Sequence, residues 1–308
     1  MPLPSAAIRI ATRASPLALW QAHFVRTRLL QEDPALQVEL LELTTRGDQI
    51  LDRTLSKVGG KGLFVKELEV ALLDGRADIA VHSLKDVPME LESEFALGAI
   101  LERGDPRDCF VSPRFARLED LPEGARVGTS SLRREMALRA HFPHLRIASV
   151  RGNVGTRLAK LERGDFDALV MAAAGLQRLG MSERIVQVLA PEVFLPAPGQ
   201  GALAIEICAR NERLRERLLC LEHAPTRACV TAERAVSRGL GGSCEFPLAA
   251  YAQIAQGQVH LRACAGNATR GEMIEAQASG PTTQPEAIGM RVVAELKARG
   301  VERLLRNG

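Results

Sequence analysis

The chain has 308 residues, of which 46% are apolar and 25% charged. That is ordinary globular composition and excludes a disordered, collagen-like or coiled-coil chain. Its length suggests roughly two domains, with three possible, and no apolar run approaches the ~18 residues that span a bilayer. The N-terminal segment MPLPSAAIRIATR carries Arg9 where a signal peptide needs its apolar stretch, so a soluble, unexported protein is expected. Ala7–Thr12 alternates as a strand, and Ser15-Pro16 reads as an N-cap followed by Pro at the first helical position. The helix that follows sets Ala18, Ala22, Val25 and Leu29 on one face. Leu36–Leu43 is a second strand. The polar stretch Thr44–Gly62, with Lys57, Lys61 and the glycines Gly59, Gly60 and Gly62, has no clear periodicity and reads as a lid, a binding loop or a disordered segment.

Phe64, Leu68, Ala71 and Leu72 fit a helix closed by Gly75. Ala77–Val81 is a buried strand running straight into Lys85-Asp86, and Phe95–Leu101 is another. The chain pauses at Gly104-Asp105-Pro106 and the pattern restarts: a strand at Arg126–Gly128, a cap at Thr129–Ser131, a helix over Leu132–Ala140 and a strand at Arg146–Val150. A helix capped by Asn153 and a strand at Asp167–Ala172 follow. Leu195–Gly201 reads as a crossover, and Ala202–Ile207 as a strand returning to the first lobe. Alternating strands and helices predict two similar α/β lobes with largely parallel pairing. After a helix ending near Arg238, strands at Leu248–Ala255 and Val259–Ala265 and a last helix over Glu286–Leu305 predict a small α+β domain. The expected boundaries are 1–101 with 199–221, 102–198, and 222–308.

Charge is unevenly spread. The net value is +3, yet Arg126–Lys160 holds seven Arg and one Lys against the single acid Glu135, a local +7 that leaves −4 elsewhere. Arg133, Arg134, Arg151, Arg157 and Arg178 follow strand ends in the second lobe, and Arg13 follows the first strand of the first lobe. Ligands of open α/β sheets collect beyond the carboxyl ends of the strands. The planar guanidinium fork suits carboxylates or phosphates. This window contains one aromatic, Phe142, which argues against stacking on single-stranded nucleic acid. Lys85-Asp86 suits general acid–base work, a Schiff base or a plain ion pair. In Gly241-Gly242-Ser243-Cys244 the glycines leave a thiol open to attachment, or the cysteine is a buried loop thiol. The six cysteines include no CxxC pair and the six histidines are scattered, so no metal site is expected.

Seven segments occur in order: Arg9–Leu19, Val58–Leu68, Val81–Pro88, Val127–Arg134, Val150–Arg157, Pro198–Ala202 and Gly241–Cys244. Together they closely resemble the porphobilinogen deaminase family, also called hydroxymethylbilane synthases, from about Ile8 to the C-terminus. The resemblance implies two lobes built like type II periplasmic binding proteins, with mixed sheets and the active site between them, plus a C-terminal domain carrying a cysteine. It implies a transferase of tetrapyrrole and haem biosynthesis, cytoplasmic and monomeric, with no membrane or nucleic-acid partner. Four porphobilinogen units are joined head to tail with loss of ammonia, and hydroxymethylbilane is then released by hydrolysis. The cofactor is dipyrromethane, held by a thioether to the residue matching Cys244. By the same matching Asp86 is catalytic. Lys85, Thr129, Ser130, Ser131, Arg133, Arg134 and Arg157 belong with the cofactor. Arg13, Ser15, Phe64, Arg151 and Arg178 belong with the substrate. Each pyrrole carries an acetate and a propionate, which accounts for the arginines. Glu245 and Phe246 depart from the neutral polar and smaller aliphatic residues expected after the cysteine.

The competing class is a two-lobed solute-binding protein without chemistry, which would need a secretion signal or lipid anchor and would have no use for Cys244.

Overall fold

Ile8–Arg13 (β1) buries both faces, because a helix packs on each side of it. Ile8 and Ile10 meet Ala22, Val25 and Leu29 of Pro16–Glu32 (α1), while Ala11 meets Leu68, Ala71 and Leu72 of Lys66–Leu73 (α2). The computed structural model describes residues 7–45, 65–241 and 246–306. Ser15 caps α1 by accepting from the Ala18 amide, with Pro16 next in line, as the sequence predicts. β1 lies between Val38–Leu43 (β2) and Ile79–Ser83 (β3), parallel to both. Leu203–Cys208 (β10) enters beside β3 and Phe95–Ile100 (β4) closes the sheet, giving the order β2-β1-β3-β10-β4. β10 runs antiparallel to both of its neighbours.

The second sheet repeats this plan. Its strands are Asp108–Val111 (β5), Arg126–Gly128 (β6), Arg146–Ala148 (β7), Ala168–Ala172 (β8) and Gln187–Val188 (β9), in the order β7-β6-β8-β5-β9. β6 is parallel to β7 and β8, and β5 is antiparallel to β8 and β9. Strand directions therefore match the first sheet position for position. Leu132–His141 (α3), Val154–Glu162 (α4) and Ala173–Arg178 (α5) follow β6, β7 and β8.

Glu212–Leu218 (α6) and Ala224–Gly239 (α7) lead to the C-terminal segment. There Leu248–Ala255 (β11), Gln258–Asn267 (β12) and Glu272–Pro281 (β13) form an antiparallel meander. Val236, Leu261, Ala263, Val292, Val293 and Leu296 join it to α7 and to Pro285–Ala298 (α8). The last helix, expected to be continuous, is two pieces: Gly300 at φ +85° separates α8 from Val301–Arg306 (α9). β5, β9, β13, α5 and α6 are additions to the sequence expectation. β5 is four residues long and β13 is rich in Glu, Gln and Ala, which are weak strand formers.

Two compact units result: 1–103 with 202–227, and 104–201 with 228–308. The second and third sheets share a unit, joined by a core of Met136, Leu195, Ala249, Cys264 and Ala268. Among the described residues no helix is long and apolar enough to cross a membrane.

Candidate functional site

In the first sheet, β1 and β3 are adjacent and parallel, with Ile10 opposite Ile79 and Ala11 opposite Ala80. Their carboxyl ends therefore leave the sheet on one edge. Arg13 ends β1 and Ser15 follows it; β3 passes into a single 3-10 turn, Leu84–Asp86. That turn is anchored by buried Leu84 and Val87 and by the Leu84 amide, which donates to the Ala202 carbonyl of the adjoining chain at 3.0 Å. On the α1 side, Gln21 Nε2 donates to Ser83 Oγ at 2.7 Å. On the α2 side, His82 Nε2 lies 2.8 Å from Glu206 Oε2, both side chains being buried. Lys85 and Arg13 are half-buried and Asp86 is exposed. A solvent-facing carboxylate is thus carried on an anchored turn, with cationic side chains on the same edge.

In the second sheet, β6, β7 and β8 are parallel and present their carboxyl ends together. Thr129 is buried, its amide bonded to the Ala148 carbonyl at 3.0 Å and its Oγ1 accepting from the Ser131 amide at 3.2 Å. Exposed Ser130 donates to the Val150 carbonyl at 2.7 Å, tying the β6 loop to the β7 loop. Ser131 caps α3 by accepting from the Arg134 amide, and Asn153 caps α4 by accepting from the Thr156 amide. Arg157 Nε donates to the Gly152 carbonyl at 2.8 Å, and half-buried Arg151 lies beside it in the loop. Arg178, at the end of α5, donates to the Gly201 carbonyl at 2.6 Å, and burial pulls its guanidinium down to about 10.

Arg133 and Arg134 turn inward. Arg133 Nη1 and Nη2 donate to Asp108 at 2.7 and 3.1 Å, and Nη1 also donates to the Leu195 carbonyl at 2.8 Å. Arg134 Nε and Nη2 donate to Asp108 Oδ1 at 3.1 and 2.9 Å, and Gln200 Nε2 donates to the same oxygen at 2.9 Å. Burial alone would raise the Asp108 carboxyl, but the two guanidinium groups overcome it and hold the group well below the usual carboxylate range. The carboxylate these forks grip in the structure is therefore the chain's own. Arg133 Nε is buried without a partner among the described residues. Sequence reasoning missed Asp108, His82 and Glu206. Their signal is one acidic or imidazole side chain in an otherwise largely apolar strand.

The first edge brings together Arg13, Ser15, Lys85 and Asp86. The second brings together Thr129, Ser130, Ser131, Arg151, Arg157 and Arg178, with Arg133 and Arg134 behind them. Phe64, Lys57, Lys61, Cys244 and Glu245 lie outside the described residues. The donors on the second edge are hydroxyls, guanidinium groups and the amide end of α3, a set that fits a carboxylate-bearing group. No group of His, Cys, Asp and Glu suited to a metal ion occurs among the described residues.

The model of the porphobilinogen deaminase dipyromethane cofactor-binding domain matches residues 8–216, and that of the porphobilinogen deaminase C-terminal domain matches 227–298. A porphobilinogen deaminase of Bordetella parapertussis is 59% identical over 298 residues, which is 97% of this chain and 95% of the relative. Another, from Stenotrophomonas maltophilia, is 56% identical and covers 97% of this chain and 98% of its own. Among solved structures, the periplasmic VFT2 domain of Bordetella pertussis BvgS overlays 70% of this chain and 87% of its own, at a TM-score of 0.43 and 15% identity. The fold reading rests on the sheets themselves. With both family models matched and relatives aligned along nearly the whole length, the chain belongs to the porphobilinogen deaminase family.

Proposed function

We propose that this chain is a transferase that joins four porphobilinogen units head to tail, releases ammonia at each addition and frees hydroxymethylbilane by hydrolysis, with dipyrromethane held by a thioether to Cys244. When bound, that group supplies the pyrrole end at which the chain of substrate units grows. The observation that carries the reading is exposed Asp86 on an anchored strand-end turn, with Lys85 and Arg13 on the same edge.

Asp86 stabilises the positive charge left on the substrate when ammonia departs from its aminomethyl carbon. It then receives the proton shed by the ring carbon that has formed the new bond. Arg13, Ser15, Arg151 and Arg178 hold the acetate and propionate of the incoming porphobilinogen, and Phe64 packs on its ring. Each charge-assisted hydrogen bond contributes about 1.5–3 kcal/mol. Lys85, Thr129, Ser130, Ser131 and Arg157 hold the cofactor's carboxylates or the loops around them. Arg133 and Arg134 belong to the same set, sharing themselves between Asp108 and the cofactor. The separate hydrophobic cores of the three sheets support a division at 1–101 with 199–221, 102–198, and 222–308. The same reading makes the protein a cytoplasmic monomer whose partner is porphobilinogen, with no nucleic acid or membrane.

The test is the intact mass of the purified protein, with peptide mapping around Cys244. The expected result is an added mass of two linked pyrroles on that cysteine. An unmodified chain that builds no adduct when given porphobilinogen would overturn the reading.

A further inference from the structure

We propose that His82 and Glu206 are positioning residues for Asp86; the proposal rests on the role given to Asp86 above. His82 sits on β3 four residues before Asp86, and Glu206 sits on β10, the strand beside it. In the antiparallel ladder Ala204 faces His82 and Glu206 faces Ala80, so the two side chains meet diagonally across the strand pair. They meet at 2.8 Å, with Glu206 fully buried and His82 nearly so. Their neighbours on this face are Ala11, Leu68, Ala71, Ala80 and Phe95. Glu206 Oε1 has no partner among the described residues. Glu69 on α2 is raised to about 7, first by burial and then by the neighbouring carboxylates of Glu206 and Glu92.

Stability does not account for such a pair. A buried polar pair that leaves one oxygen unpaired is costly, and replacing such a pair by apolar residues of similar volume is often neutral or stabilising. What the pair does is geometric. It ties the end of β3 to β10 on the α2 face, while Gln21 ties the next residue, Ser83, from the α1 face. Between them the two bonds fix the last residues before the Leu84–Asp86 turn from both sides of the sheet. Asp86 itself has no side-chain partner among the described residues, so its placement is inherited from this strand end. A misplacement of about 1 Å at the chemistry costs on the order of a hundredfold in rate.

The test uses the cofactor-loaded enzyme and the double variant His82→Leu/Glu206→Leu, beside Glu206→Gln and Asp86→Asn. The double variant is expected to carry the pyrrole adduct by intact mass and to melt within about 3 °C of wild type. Its kcat should fall by about tenfold to a hundredfold with KM for porphobilinogen within about twofold. Glu206→Gln keeps a hydrogen bond to His82 and should stay within about threefold of wild-type kcat. A loaded, folded double variant with near-normal kcat, or a loss confined to KM, would overturn the proposal. Should the double variant not fold, His82→Asn, too short to reach Glu206, carries the same expectation for kcat and KM at a lower melting temperature, and unchanged kcat there overturns it. Normal turnover by Asp86→Asn would remove the role of Asp86 itself. An inactive Asp86→Asn beside a fully active double variant would remove only the positioning.

Discussion

Replacing Asp108 by Ala strands two guanidinium groups in the core of the second lobe. The carboxylate accepts from Arg133, Arg134 and Gln200, and it is fully buried, with Arg133 and Arg134 nearly so. Removing one member of a buried charge network costs about 3–5 kcal/mol, because the charges left behind are neither hydrated nor paired. For a unit of this size each kcal/mol shifts the melting temperature by about 2–4 °C, so a fall of about 6–20 °C is expected. Circular dichroism melts of Asp108→Ala and the nearly isosteric Asp108→Asn at neutral pH measure it. The sign of the pH dependence follows from the depressed Asp108 carboxyl. Its stabilisation is present above the unfolded pKa of about 3.9 and is lost as pH falls towards the lower folded value. Wild type should therefore lose stability below about pH 4 more steeply than Asp108→Asn. A melting temperature within about 2 °C of wild type for Asp108→Ala would refute the reasoning.

Further outcomes are expected. Asp86→Asn, at an exposed position, should melt like wild type while turnover falls by about a hundredfold to ten-thousandfold; near-normal turnover in a steady-state assay would sink the assigned role. Arg178→Gln should raise KM for porphobilinogen by about tenfold or more through loss of a carboxylate contact, and an unchanged KM argues against that contact. Burial pushes the Cys109 and Cys264 thiols up to about 12, so at pH 8 a thiol reagent should leave both untouched in the native protein and reach exposed Cys220 first; mass mapping of early adducts on Cys109 or Cys264 would contradict this. Gly201→Ala, at φ +89° with a Cβ that would stand 2.7 Å from the Gly104 carbonyl, should lower the urea midpoint by about 1–3 kcal/mol equivalent, and an unchanged midpoint counts against the strain.

Much of this architecture is legible in short-range pattern. Ser15, Ser131 and Asn153 each announce a helix start through a hydroxyl or amide just before an apolar face, and each accepts the expected backbone amide. The strand ends that gather Arg13, Lys85 and Asp86, or Ser131, Arg151 and Arg157, follow from alternating strands and helices plus parallel pairing. What is not legible is where an arginine fork closes. The spacing of Arg133 and Arg134 serves a ligand carboxylate and a carboxylate of the chain equally well, and only the folded position of Asp108, at the start of a four-residue strand, decides it. The pairing of His82 with Glu206 spans 124 residues; the return of the β10 segment to the first lobe is readable, but its place and antiparallel register beside β3 are encoded by no local pattern. Gly300 splits the last helix although the apolar spacing runs through it.

The insertion of β10 between β3 and β4 also has a consequence for biosynthesis. On the ribosome, β1 to β4 emerge first, yet the strand that fills the gap between β3 and β4 is encoded about a hundred residues later, beyond the whole second sheet. Until Leu203–Cys208 leaves the tunnel, the two strands stand apart with open edges, each a template for wrong pairing. The second sheet has no such wait, because its own antiparallel strand, β5, heads the segment. The nascent chain is thus expected to complete its second sheet before its first, an inversion of the usual N-to-C order that leaves the strand edges of the N-terminal lobe open to mispairing for longer.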